Sequence, residues 1–158
     1  MTQSTDRIER SIFLKAPPSK VWHALSNAPS FGDWFGVALT GKTFAPGQRV
    51  QGNITHPGYE HLVWDVLIVE MATERLLSFR WHPYAVDPAI DYSKEPETLV
   101  EFTLEPVEGG TLLRVVESGF DNIPVARRSE AFRMNSNGWD EQMKNIAKYV
   151  ATHPHAVP

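Results

Sequence analysis

The chain has 158 residues, of which 42% are hydrophobic and 22% charged, with a net charge of −4 and no cysteine. That length sustains one core without staples, and the missing cysteine excludes disulfides and thiol catalysis and suits a reducing cytoplasm. Basic residues are scattered, with only Arg127, Arg128 and Arg133 close together, so no face is basic enough to displace counterions from nucleic acid.

Residues 8–15 alternate, with Ile8, Ile12 and Leu14 on one face and Glu9, Ser11 and Lys15 on the other. This period of two predicts a strand. Pro17 and Pro18 stop it, and proline is tolerated in a first helical turn. Residues 18–27 read as a short helix burying Val21, Trp22 and Leu25. A second break at Pro29 leads to SFGDWFG, one helical turn ending near Gly36. Beyond the turn Pro46-Gly47 lie segments of strand type at 49–56, 61–70, 75–82, 97–105 and 111–118. Gly109-Gly110 signals a hairpin between the last two. Clean alternation at Leu77, Phe79 and Trp81, and at Val100, Phe102 and Leu104, predicts an antiparallel sheet with one solvated face.

From about 124 to 151 the spacing of Phe132, Ser136, Trp139, Met143, Ile146 and Val150 predicts a long amphipathic helix. One helix covers the apolar face of such a sheet only if the sheet curls around it. The expected architecture is therefore α+β, a curved antiparallel sheet of six or seven strands gripping a C-terminal helix, with two short helices after strand one. A single domain over 7–151 with flexible tails at 1–6 and 152–158 is expected. No signal peptide or bilayer-spanning run is visible. A cytoplasmic location is expected.

Three signatures, "APPSKVWHAL", "WFG" and "SGFDNIP" followed by "NGWDEQMKNIAKYV", occur in an order that resembles the SRPBCC (START-like, birch-pollen-allergen-like) superfamily. Within it the chain is most similar to the group named after activators of heat-shock protein 90 ATPase. The resemblance implies the helix-grip fold and an apolar cavity between helix and sheet. That cavity would hold a lipid, sterol or polyketide-like molecule, as monomer or homodimer. It also implies two alternatives: a cyclase or hydrolase using the same cavity, and a co-chaperone module tied to stress response.

The residues expected to line that cavity are Phe79, Trp81, Phe102, Phe132, Ser136 and Trp139, with Trp34 and Phe35 near the entrance and Trp64 completing an aromatic wall. Ser136 softens the buried stripe, and a bare buried hydroxyl needs a partner, which a pocket supplies. Residues 82–97, with Pro83, Pro88 and Pro96, form a long loop of the kind that makes lids, and Tyr84 and Tyr92 on it could cover the mouth. Glu117 shares a face with Leu113 and Val115, and Arg10 shares one with Ile8 and Ile12. A buried charge needs a partner, so an Arg10–Glu117 ion pair at one end of the pocket is expected. His56 and His61 flank a turn but lack the third and fourth ligands of a zinc site, so no metal is expected. No nucleophile elbow, phosphate loop or dinucleotide motif is present, and no catalytic residue or cofactor is assigned.

Overall fold

Ile8 and Leu14 turn inward from the first strand, β1 (Arg7–Leu14), while Glu9, Ser11 and Phe13 face out. In this computed structural model, which describes residues 6–86 and 89–152, β1 leads into α1 (Pro18–Ser26). Pro18 opens α1, and Asn27 closes it and caps α2 (Ala28–Phe35), its side chain accepting from the Ser30 amide at 3.0 Å. Gly36 ends α2 at φ 97°, a left-handed conformation that costs glycine nothing.

The remaining strands are β2 (Arg49–Asn53), β3 (Val63–Ala72), β4 (Leu76–Trp81), β5 (Thr98–Val107) and β6 (Gly110–Ser118). They form one antiparallel sheet in the order β1-β6-β5-β4-β3-β2. The hairpin at Glu108-Gly109 sets the β5–β6 register, closed by Val107 opposite Gly110. The last helix, α3 (Val125–Thr152), packs against β1, α1 and α2. This is the α+β helix grip with six strands. Of the expected tails 1–6 and 152–158, residues 1–5 and 153–158 lie outside the described residues, as do Asp87 and Pro88; Asp6 accepts from the Gly119 and Phe120 amides at 3.1 Å, and Thr152 is the last residue of α3.

Strand boundaries shift by one to three residues from their predicted places, two of them for a visible local reason. β2 ends at Asn53 rather than residue 56, because Ile54 makes only an isolated bridge to Val37. β3 starts at Val63 rather than 61, because Leu62 donates to the Tyr59 carbonyl at 3.0 Å and closes a turn.

The concave face is filled. Phe31 of α2, fully buried, sits 4.8 to 5.5 Å from the rings of Trp34, Phe35, Phe44 and Trp64. Phe79 and Phe102 meet it edge-on at 6.4 and 6.3 Å. Aromatic pairs at such distances add to area burial. The segment 37–39 crosses β2 at Gly52, where an added Cβ would strike the Ala38 carbonyl and the side chains of Val37 and Leu39. Gly52→Ala is therefore expected to destabilise by about 1–3 kcal/mol through overpacking, read as a lower urea midpoint with unchanged slope.

Candidate functional site

Strand β3 runs on past the end of its pairing with β4. Their paired register starts at Leu67 opposite Arg80. Before that point β3 pairs only with β2, from Val66 to Val63, while the end of β4 pairs with β5, Trp81 opposite Thr98. The gap between them opens a cleft of about 1050 Å³. Phe35, Trp64, Trp81 and Tyr84 give it an aromatic side, Asn135 of α3 contributes a polar group, and Arg49, His82 and Glu97 line it too. Gln51, Asp65, Ser93 and Glu95 line it as well, so the cleft sets an aromatic wall against a strongly polar rim, a combination suited to an amphipathic molecule. Arg49 donates to Asp65 at 2.7 Å and lies 3.8 Å from Glu97. The hydrogen bond to Asp65 is the main reason its guanidinium is held above its ordinary pKa, so it stays cationic.

Behind the cleft lies a carboxylate. Glu117 faces inward beside Ile8 on the neighbouring strand and is fully buried. Trp81 Nε1 donates to its Oε2 at 2.7 Å and Thr98 Oγ1 at 2.6 Å. Trp139 Nε1 donates to Oε1 at 2.8 Å, and Asn135 Nδ2 reaches both oxygens at 3.0 and 3.1 Å. Every one of these donors is neutral. Low local dielectric strengthens such a network and makes each member costly to leave unpaired. Two of the donors, Trp81 and Asn135, also line the cleft, so Glu117 fixes the orientation of the cleft's inner wall.

The outer wall is held by Arg127 at the start of α3. Its Nε donates to Glu95 Oε1 at 2.8 Å, with Nη2 2.7 Å from the same oxygen. Nη1 donates to the Pro83 carbonyl at 2.8 Å, and the guanidinium stacks 4.7 Å over the Tyr92 ring. One side chain thus pins both ends of the 82–97 loop. Between them Tyr84 adopts φ 50°, a left-handed conformation uncommon for a bulky residue. Asp91 accepts from the Ser93 hydroxyl at 2.6 Å and its amide at 3.0 Å; the hydroxyl bond first, then the amide, holds its carboxyl below the usual range.

Of the residues expected to line a pocket, Phe35, Trp64, Trp81 and Tyr84 border this cleft. Trp34, Phe79 and Phe102 lie in the closed core, because α2 inserts Phe31 into the space they were expected to surround. Trp139 is buried and points at Glu117. Phe132 is half-buried and packs edge-on against Phe120 at 5.2 Å, and Ser136 is half-buried outside the cleft. The ion pair between Arg10 and Glu117 is replaced by another: Arg10 Nε donates to Asp140 of α3 at 2.6 Å. The strands place both residues as alternation predicts, but Arg10 sits opposite Val115, two residues along from Glu117, and α3 offers it a carboxylate on the way out. Being partly exposed, that pair is worth under about 1 kcal/mol.

Sequence reasoning selects Ser136 and misses Asn135. Counting back four from Trp139 lands on 135, and the buried face runs Ala131, Asn135, Trp139, Met143, Ile146 and Val150, with Asn135 half-buried on it. It also misses Thr98, which shares the inward face with Val100 and Phe102. No local pattern marks Arg127, Glu95 or Arg49.

A family profile described as "Activator of Hsp90 ATPase homolog 1-like protein" matches residues 15–151. No curated protein sequence matches significantly. Among solved structures, MLL2253 of Mesorhizobium loti is 23% identical with a TM-score of 0.69, over 94% of this chain and 99% of that one. A Rhodobacter sphaeroides protein is 22% identical with a TM-score of 0.68, over 98% of this chain and 97% of that one. NE0264 of Nitrosomonas europaea is 16% identical with a TM-score of 0.71, over 96% of this chain and 97% of that one. At these identities the likeness shows the fold.

Proposed function

The chain belongs to the family of Activator of Hsp90 ATPase homolog 1-like proteins, in the SRPBCC superfamily, and from that premise we propose that it binds one amphipathic small molecule in the cleft between β3 and β4. The observation that carries this reading is the cleft itself: about 1050 Å³ walled by Phe35, Trp64, Trp81 and Tyr84, with Arg49, His82 and Glu97 also lining it. The aromatic side would take the ligand's apolar body and the charged residues its polar end. Among the described residues no helix is long and apolar enough to cross a membrane.

Binding without conversion is favoured over catalysis by the disposition of Glu117. Among the described residues it is the fully buried ionisable side chain, yet Trp81, Thr98, Asn135 and Trp139 already surround both its oxygens. A general acid or base needs hydrogen-bond reach to its substrate, and here Trp81 and Asn135 stand between. The test is native mass spectrometry of protein purified from its own host. One bound small molecule per chain is expected, released on denaturation. A single unliganded mass, unchanged when extracts of the host are added back, would sink the proposal.

A further inference from the structure

Trp64 is 4% exposed, and its indole Nε1–H has no hydrogen-bond acceptor among the described residues. The cause is visible in its neighbours. The ring lies 5.5 to 6.3 Å from those of Phe31, Phe35, Phe44 and Phe79, none of which carries a lone pair to offer. Three other tryptophans differ: Trp34 donates to the Ala24 carbonyl at 2.8 Å, and Trp81 and Trp139 donate to Glu117. A buried N–H left without an acceptor costs about 1–3 kcal/mol. Trp64 is also a cleft residue. A second buried atom in the same cleft, Glu97 Oε2, accepts no hydrogen bond; Arg49 and His82 approach it only to 3.8 and 3.9 Å.

We infer that Trp64 Nε1–H is a ligand-reading donor, and that the cleft selects a flat apolar body bearing an oxygen acceptor, such as an aryl ketone. This rests on the ligand-binding reading above and adds to it the chemical group that is recognised. The acceptor removes the penalty of the orphaned N–H, while a pure hydrocarbon of the same shape leaves it in place. Glu97 Oε2 gives the polar end a place for a hydroxyl or amine donor. Selection by an unpaired buried polar group is asymmetric in this way, since an analogue lacking the partner atom leaves the group unpaired.

The test uses the full chain labelled with ¹⁵N and two probes, 2-acetylnaphthalene and 2-ethylnaphthalene, which differ in the carbonyl. Both are expected to shift the amides of Phe35, Trp81 and Tyr84. Only the ketone should move the Trp64 indole N–H resonance downfield, and it should bind roughly tenfold more tightly, the worth of one hydrogen bond. In Trp64→Phe both affinities change with the wall, but their ratio should fall to about one, because the ketone no longer has an indole N–H to meet. Cleft amides that respond equally to both probes, with the Trp64 indole signal unmoved, would overturn this inference and leave the binding reading standing. If neither probe moves any cleft amide, both are overturned. The indole signal is measured in the unmodified chain, so its outcome stands whether or not the variant folds.

Discussion

Replacing Glu117 by glutamine should lower stability by about 1–3 kcal/mol, the cost of leaving a buried donor without its acceptor. Glutamine has nearly the same volume, so no cavity contributes. The loss is electrostatic. Oε2 takes Trp81 and Thr98, and Oε1 takes Trp139, with Asn135 bridging the two. An amide offers one acceptor oxygen in place of two. Its NH₂ must face either Trp81 and Thr98 or Trp139, donor against donor; the Thr98 hydroxyl can rotate and the Asn135 amide can flip to accept, but an indole N–H cannot. Each remaining unpaired donor costs about 1–3 kcal/mol. Urea unfolding should show a lower midpoint with an unchanged slope, and for a chain of this size the melting temperature should fall by roughly 6 °C. A loss below about 1 kcal/mol would mean the network is not formed. Substitution at Arg10, whose partner is the exposed Asp140, should show the contrast.

The same residue shows how far a sequence can be read. That Glu117 points inward follows from strand alternation alone, since Leu113, Val115 and Glu117 are two apart. Which group meets it does not follow. Trp81, Thr98, Asn135 and Trp139 come from β4, β5 and α3, brought together by sheet order and helix placement that no local pattern encodes. An arginine partner follows from the cost of burying charge, but four neutral donors meet that need instead. The helix grip is legible because it depends on periodicity and on the hairpin at Gly109. The position of the cleft is not, for two reasons. Phe31, on a helix of eight residues, fills the centre of the concave face. The opening arises from where β3 stops pairing with β4, a register property. The length of the 82–97 loop does signal a cover for a mouth, and Tyr84, Tyr92, Glu95 and Glu97 line the cleft.

Arg127→Ala should release that loop. The guanidinium satisfies Glu95, the Pro83 carbonyl and the Tyr92 face together. Its removal leaves the Glu95 carboxylate, 17% exposed in the folded chain, facing no cation. Breaking a largely buried pair from one side costs about 3 kcal/mol. Here the cost falls on local opening, because the segment between β4 and β5 adds no strand to the sheet. The left-handed turn at Tyr84 then loses the side chain that holds the carbonyls around it, and its strain favours opening further. Amide exchange from Tyr84 to Glu95 should accelerate roughly a hundredfold, the equivalent of that free energy, while β5 and β6 stay protected. Limited proteolysis should cut within the same segment. Lysine at 127 should rescue only part of the effect, because one ammonium cannot reproduce a planar fork serving a carboxylate, a carbonyl and a ring at once. Arg128→Ala is the control: Arg128 donates to the Ile123 carbonyl at 3.0 Å, away from the loop. If exchange in the loop rises equally in both variants, the helix start as a whole holds the segment and Arg127 has no special part in it. If only Arg127→Ala opens it, probe affinity should fall in that variant as well, because the loop supplies one wall of the cleft.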